Sequence, residues 1–155
     1  MSIKSTIAAT LMAFLAFTFA LDTYADEKVE WRDWDEGYEE AKENGKPILL
    51  SVYADWCGWC DRMDNDTYSD EEVADKIHEN FVPIKFNPEE EKTYDMEGEE
   101  LSGPQLLGAL TQGEQTGYPT TLFLNVEERS VFMESGYKGP DDFRDILSEM
   151  SQKAS

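Results

Sequence analysis

The chain has 155 residues and carries 34 Asp and Glu against 13 Lys and Arg, a formal net charge of −21. A surface of that sign repels nucleic acid and anionic membranes, which excludes both as partners. Aromatic residues make up 12% of the chain, too many for a disordered acidic polymer.

Lys4 precedes an apolar run from Ile7 to Leu21 broken only by Thr10 and Thr18, and Thr23-Tyr24-Ala25 ends on the small residues of a cleavage site. The run is shorter than the roughly 18 apolar residues a spanning helix needs. We therefore expect a signal peptide over residues 1–25 and a mature chain from Asp26 to Ser155, periplasmic or secreted, without stable membrane insertion. No cysteine adjoins the cut, so a lipoprotein tether is excluded. Cleavage leaves the charge unchanged, because the leader holds one Lys and one Asp. The remaining length suits one domain around one core, and we expect a monomer.

Trp31 to Trp34 reads as a short strand or lead-in. Asp35 is a candidate cap for a helix running through Asn44, with Gly45 as its stop and Pro47 beyond. Ile48 to Ala54 (ILLSVYA) is a β-prone apolar run fit for a buried central strand. Trp59 to Asn65 reads as a helix opening at the cysteines. Ser69 and Glu72 form an S-x-x-E capping box for a second helix, with Val73, Ile77 and Phe81 as its apolar stripe.

Phe81 to Asn87 (FVPIKFN) is a further strand, in which Pro83 points to a sheet edge or a first-residue position. Pro88 to Gly103 is acidic and poor in apolar residues, and reads as a solvated loop with at most a short helical turn. It is either an inert insertion or one that shapes partner choice, because both its ends approach the redox face. Pro104 to Gln112 forms a short helix that turns Leu106, Leu107 and Leu110 inward. Thr120 to Val126 and Val131 to Glu134 form a hairpin. A last helix follows Gly139-Pro140, with Phe143, Ile146, Leu147 and Met150 on one face. Strands alternating with helices, then a hairpin and a helix, give an α/β sandwich.

The two cysteines, Cys57 and Cys60, stand in "YADWCGWC" between the central strand and a helix. A disulfide across so short a loop removes little entropy from the unfolded chain, so a structural staple is a weak explanation. At a helix start, free N–H groups and the macrodipole stabilise a thiolate. Cys57 is then the attacking thiol and Cys60, one turn on, the resolving one. Covalent haem attachment fails because residue 61 is Asp rather than His. Zinc lacks ligands, since His78 is the lone histidine and reads as a surface residue. Copper(I) is the competing reading, as two thiolates suit a soft ion and Met63 or Met96 could assist. A third class, a binding module without turnover, does not need the thiols.

In "GYPTTLFL", Pro119 stands just before a strand, where an X-Pro bond is either an ordinary trans opening or a cis peptide. The cis form turns the backbone of Tyr118 toward the cysteines, where it can pair with a substrate peptide. Trp56 and Trp59 are candidates for an apolar platform under partner peptides. We expect Trp56 to pack beside Cys57 and Trp59 to be exposed.

Together "YADWCGWC" and "GYPTTLFL" resemble the thioredoxin superfamily, over about Trp31 to Met150. "ILLSVYADWCGWCDRM" is most similar to exported thioredoxin-like proteins, such as the C-terminal module of the bacterial transmembrane disulfide-reducing shuttle. The resemblance implies a thioredoxin-like fold, a central mixed β-sheet flanked by helices. It also implies disulfide exchange with protein partners, fed by an upstream redox donor. No cofactor and no metal are required, because the electrons reside in the thiol pair.

Two departures stand out. The family's buried aspartate, six residues before the first cysteine, is replaced by Ser51, and the dipeptide between the cysteines is Gly58-Trp59 rather than Gly-Pro. Lys85 falls where the family has the lysine that pairs with that aspartate. It either favours the thiolates by opposite charge or extends its head to water. Asp55, Asp61 and Asp64 surround the motif and disfavour a thiolate, which destabilises the dithiol and favours a reductant.

Overall fold

The computed structural model describes residues 29–153. The expected signal peptide and its cleavage site lie outside the described residues.

A four-stranded mixed sheet is built in the order β2-β1-β5-β6. β1 (Ile48–Val52) runs parallel to β2 (Val82–Phe86) and antiparallel to β5 (Thr120–Asn125), which pairs antiparallel with β6 (Ser130–Ser135). β1 is buried along its whole length, as a central strand with both faces covered must be. β2 is one of the two edge strands of this sheet, which accommodates the missing N–H of Pro83. The lead-in before the first helix is a single parallel bridge, Arg32 to Ile84, not a full strand.

Side chains alternate across the sheet with a period of two. Ile48, Leu50, Val52, Ile84, Phe86, Leu122 and Leu124 face one layer, shared with Trp34, Tyr38 and Ala41 of α1 (Trp34–Asn44) and Leu106 and Leu110 of α4 (Gly103–Leu110). Leu49 and Phe123 face the other. There they meet Met63 of α2 (Gly58–Asp66), Val73 and Ile77 of α3 (Glu71–Asn80), and Phe143, Leu147 and Met150 of α5 (Pro140–Lys153). Leu107 of α4 and Ile146 of α5 are half-buried at the margins of these layers.

Two helix caps are corrected. The first helix starts at Trp34 with Asp33 at its N-cap position, so Asp35 is not the cap; its carboxylate, in the first turn, instead accepts the N–H of Asp95 at 3.1 Å. It ends as expected at Gly45, which takes the left-handed φ of 72° and donates its N–H to Ala41. α3 is capped by Asp70, which accepts the Val73 N–H at 3.0 Å, while the Ser69 hydroxyl turns back to the carbonyl of Asn65.

The acidic segment is not a solvated loop. It folds as an antiparallel hairpin of β3 (Thr93–Met96) and β4 (Glu99–Ser102), turned by Glu97 and Gly98 with φ of 56° and 86°. Tyr94 anchors it, 2% exposed and edge-on to Phe86 at 5.1 Å, and the Trp34 indole donates to the Asp95 carbonyl at 2.8 Å. At its base the chain passes so close to itself that a Cβ on Gly103 would lie 2.2 Å from the Pro88 carbonyl oxygen.

Candidate active site

β1 delivers the chain to the motif. The Tyr53 N–H still bonds the Phe86 carbonyl, and the Cys57 N–H closes a turn on the Ala54 carbonyl, both at 3.0 Å. Cys57 is the N-cap of α2, with φ −87° and ψ 95°. Its Sγ accepts the backbone N–H of Cys60 at 3.1 Å, as a capping oxygen would. The two cysteines form a disulfide with Cα atoms 5.3 Å apart.

Because β1 and β5 are neighbours in the register Val52 to Thr120, the strand end that feeds the cysteines lies beside the strand start that Pro119 opens. The Tyr118–Pro119 peptide is cis. Its position is held by the Gly136 N–H on the Pro119 carbonyl and the Thr120 hydroxyl on the Gly117 carbonyl, each at 2.8 Å. Tyr118 and Tyr53 pack against the small cluster of Ala54, Cys57 and Cys60. Both cysteines are only 4% exposed, and the space above Gly58 is open.

Trp56 is 70% exposed and Trp59 57% exposed, so the expected packing of Trp56 is corrected. Its ring meets Tyr118 edge-on at 5.6 Å, and its indole N–H donates to Glu89 at 2.9 Å, which fixes its pose without covering it. Trp59 lies 5.6 Å from Tyr137. The Arg62 guanidinium sits over both rings, within 5.5 Å of each centroid. Asp66 accepts from both Arg62 and the Tyr137 hydroxyl, and its carboxyl is held below the usual range by those bonds, Arg62 first.

Beneath α2 a polar row crosses the otherwise apolar sheet: Lys85, Ser51 and Thr121 are direct register partners. The Tyr68 hydroxyl bonds Thr121 at 3.3 Å, and burial pushes its pKa up to about 12, so it remains a neutral hydrogen-bonding group. Ser51 is 3% exposed, in the place of the family's aspartate. The Lys85 ammonium pairs with Asp64 from α2 and lies over the rings of Tyr53, Trp31 and Tyr68 at 4.8, 5.1 and 5.7 Å. Its head is thus enclosed by aromatic rings and a carboxylate. Asp55 accepts from the Asn87 amide at 3.3 Å on the exposed side of the motif. The pKa of Tyr53 is raised by burial first, then by Glu90 and Asp55, and that of Tyr118 by burial and then Glu89.

Sequence reasoning missed Glu89, Tyr53, Tyr137 and Arg62 as neighbours of the site. Each comes from an element whose approach to the motif is set by tertiary packing. Asp64 carried a signal, since it follows Cys60 by one helical turn. The other candidate ligands do not converge on the cysteines. Met63 belongs to the core layer of α3 and α5, and Met96 packs against the opposite layer. His78 is exposed on α3, where its Nε2 accepts the Glu30 N–H at 3.1 Å.

Comparison with known proteins agrees with this geometry. An uncharacterized protein of Caenorhabditis elegans, B0495.5, is 31% identical over 125 residues, which is 80% of this chain but 16% of that protein. Thiol:disulfide interchange protein DsbD of Vibrio cholerae is 30% identical over 112 residues, 71% of this chain and 17% of that protein. The chain therefore spans under a fifth of either relative. A solved structure described as DsbH oxidoreductase superposes with a TM-score of 0.61 at 20% identity, covering 81% of this chain and 85% of that one. The sequence family Thioredox_DsbH, described as "Protein of unknown function, DUF255", matches residues 17–153, and with its mixed sheet and paired cysteines this chain belongs to that thioredoxin-fold family.

Proposed function

We propose that this chain is a thiol–disulfide oxidoreductase that exchanges disulfides with protein partners through Cys57 and Cys60. The observation that carries the reading is the disulfide at the mouth of α2, packed against Tyr118 beside the cis peptide. In the reduced protein the Cys57 thiolate attacks one sulfur of a partner disulfide. The partner S–S bond breaks, its leaving thiolate takes a proton, and a mixed disulfide forms. The Cys60 thiol then gives up its proton and attacks Cys57 Sγ, which restores the Cys57–Cys60 bond and frees the second partner thiol. Two electrons pass from the protein to the partner.

The Cys60 N–H and the start of α2 stabilise the attacking thiolate. Asp61 in the first turn and Asp55 nearby act against it, and Asp64 offsets the Lys85 charge. That balance supports electron donation as the direction of flow. Tyr118, Pro119, Trp56 and Trp59 form the contact face for the partner. The leader read over residues 1–25 supports export, with an upstream donor returning the protein to its dithiol.

Redox equilibration with glutathione fixes the potential, and trapping fixes the roles. Cys60→Ala is expected to accumulate a mixed disulfide with the partner through Cys57, and Cys57→Ala is not. Equal trapping by both variants would reverse or abolish the assignment of attacker and resolver.

A further inference from the structure

A cleft of about 600 Å³ is lined in part by Tyr118 and does not include either cysteine in its lining. One wall is the start of the hairpin insertion, Pro88 and Glu89. Further lining comes from Pro104 and the half-buried Leu107 of α4 and from the loop after it, including Glu114 and Thr116. Its size lies within the ordinary range of ligand clefts, enough for a few side chains. Its polarity has one sign. Glu89 and Glu114 both line it, and neither Lys nor Arg is among the lining residues. The Thr116 hydroxyl oxygen is buried without a hydrogen-bond partner, a polar group left over in the cleft wall. The cleft is continuous with the exchange site through Tyr118, which lines the cleft and also packs against the cysteine pair.

We infer that this cleft receives the polypeptide flanking the partner's disulfide, and that it selects segments bearing Lys or Arg beside the reacting cysteine. This rests on the proposed exchange activity and specifies its substrate class. The apolar stem of a long basic side chain fits against Leu107 and Tyr118, while its charged head reaches Glu89 or Glu114. An acidic flank meets like charge in the same place. The Trp56 indole already holds Glu89 at the junction, so the carboxylate is positioned rather than free to swing away. The hairpin insertion thus supplies one wall of a specificity cleft.

The test uses the full chain, reduced with dithiothreitol and desalted, and three acetylated heptapeptides. Each peptide has a single cysteine as its neutral 2-thiopyridyl mixed disulfide, flanked on both sides by Lys, by Ala or by Glu. Cys57 attacks the peptide sulfur and expels pyridinethione, whose absorbance reports the second-order rate. The Lys peptide is expected to react about 5-fold faster than the Ala peptide at low ionic strength, and the Glu peptide correspondingly slower. The difference shrinks as salt is added. In Glu89→Gln/Glu114→Gln the Lys-to-Glu rate ratio falls toward 1. In Glu127→Gln/Glu128→Gln, which removes the same charge at the exposed turn between β5 and β6, it persists. Equal rates for the three peptides, or a ratio that survives the cleft substitutions, overturns the inference while leaving the exchange activity standing. No reaction with any peptide overturns both.

Discussion

The Lys85 ammonium and the Asp64 carboxylate meet at 2.5 Å, joining β2 to α2 beneath the cysteine pair. Ser51 lies beside Lys85 in the sheet, so the acid that balances this lysine comes from the cysteine-bearing helix and not from β1. The Tyr53 ring lies 4.8 Å from the Lys85 ammonium and also packs against the cluster of Ala54, Cys57 and Cys60.

That arrangement makes the pair a charge-setting device with two opposite predictions. Asp64→Asn leaves the Lys85 charge unbalanced and favours thiolates, moving the equilibrium with glutathione about 3-fold toward the dithiol. Lys85→Met leaves the carboxylate alone and moves it about 3-fold the other way. Alkylation of free thiols at fixed glutathione ratios reads both. Shifts of the same sign would show that packing, not charge, governs the effect.

The insertion should depend on its base. Gly103→Ala forces a methyl against the Pro88 carbonyl, a backbone atom that cannot rotate away, and is expected to cost about 2–3 kcal/mol. Gly58→Ala, where nothing lies within 4 Å, is expected to be neutral or stabilising by up to about 1 kcal/mol. Urea unfolding of the two variants beside the wild type checks the contrast, and comparable losses at both positions contradict it.

Tyr94 should hold the hairpin to the domain. Tyr94→Ala removes a buried ring from between Phe86 and the insertion, at an expected cost of about 3–4 kcal/mol. Hydrogen exchange over residues 93–102 is expected to speed up more than exchange in β1. Unchanged protection of the hairpin amides in this variant means that the ring is not its anchor.

Tyr68 should sharpen the alkaline limit of stability. Its folded pKa of about 12 lies above the unfolded value of 10.0, so the unfolded state releases its proton first as pH rises. The contribution is complete below pH 10.0 and is lost as pH climbs toward about 12, at about 1.4 kcal/mol per unit. Tyr68→Phe removes this dependence. Tyr94 titrates in the same window, so the quantity to compare is the wild-type slope minus the variant slope between pH 9 and 11.5 in denaturant melts. Equal slopes in the two proteins exclude a role for Tyr68.

The strands and helices of the sheet were legible because their signals are local and strong. Ile48 to Val52 is apolar except for Ser51, Pro83 points to an edge or a strand start, and Val73, Ile77 and Phe81 repeat at helical spacing. The hairpin was not, although Glu97-Gly98 is a turn signal and Tyr94, Met96 and Leu101 are spaced apolar residues. Its acidic surroundings outweighed three residues whose burial depends on Trp34, Phe86 and α4 being in place. The packing of Trp56 was misjudged for a related reason. An indole beside a cysteine looks like core, yet this one is held at the surface by Tyr118 and by Glu89 from the insertion.

By itself the sequence determined the mixed α/β order, the cysteine pair at a strand-to-helix junction, and the proline ahead of a strand. Each depends on residues a few positions apart. Only the tertiary structure decided which charges face the thiols, that Asp64 neutralises Lys85, and that the insertion walls a cleft with Glu89. Those relationships join residues from different elements. Electrostatic interaction depends on separation in space, which the packing of α2, β2 and the hairpin sets and residue spacing along the chain does not.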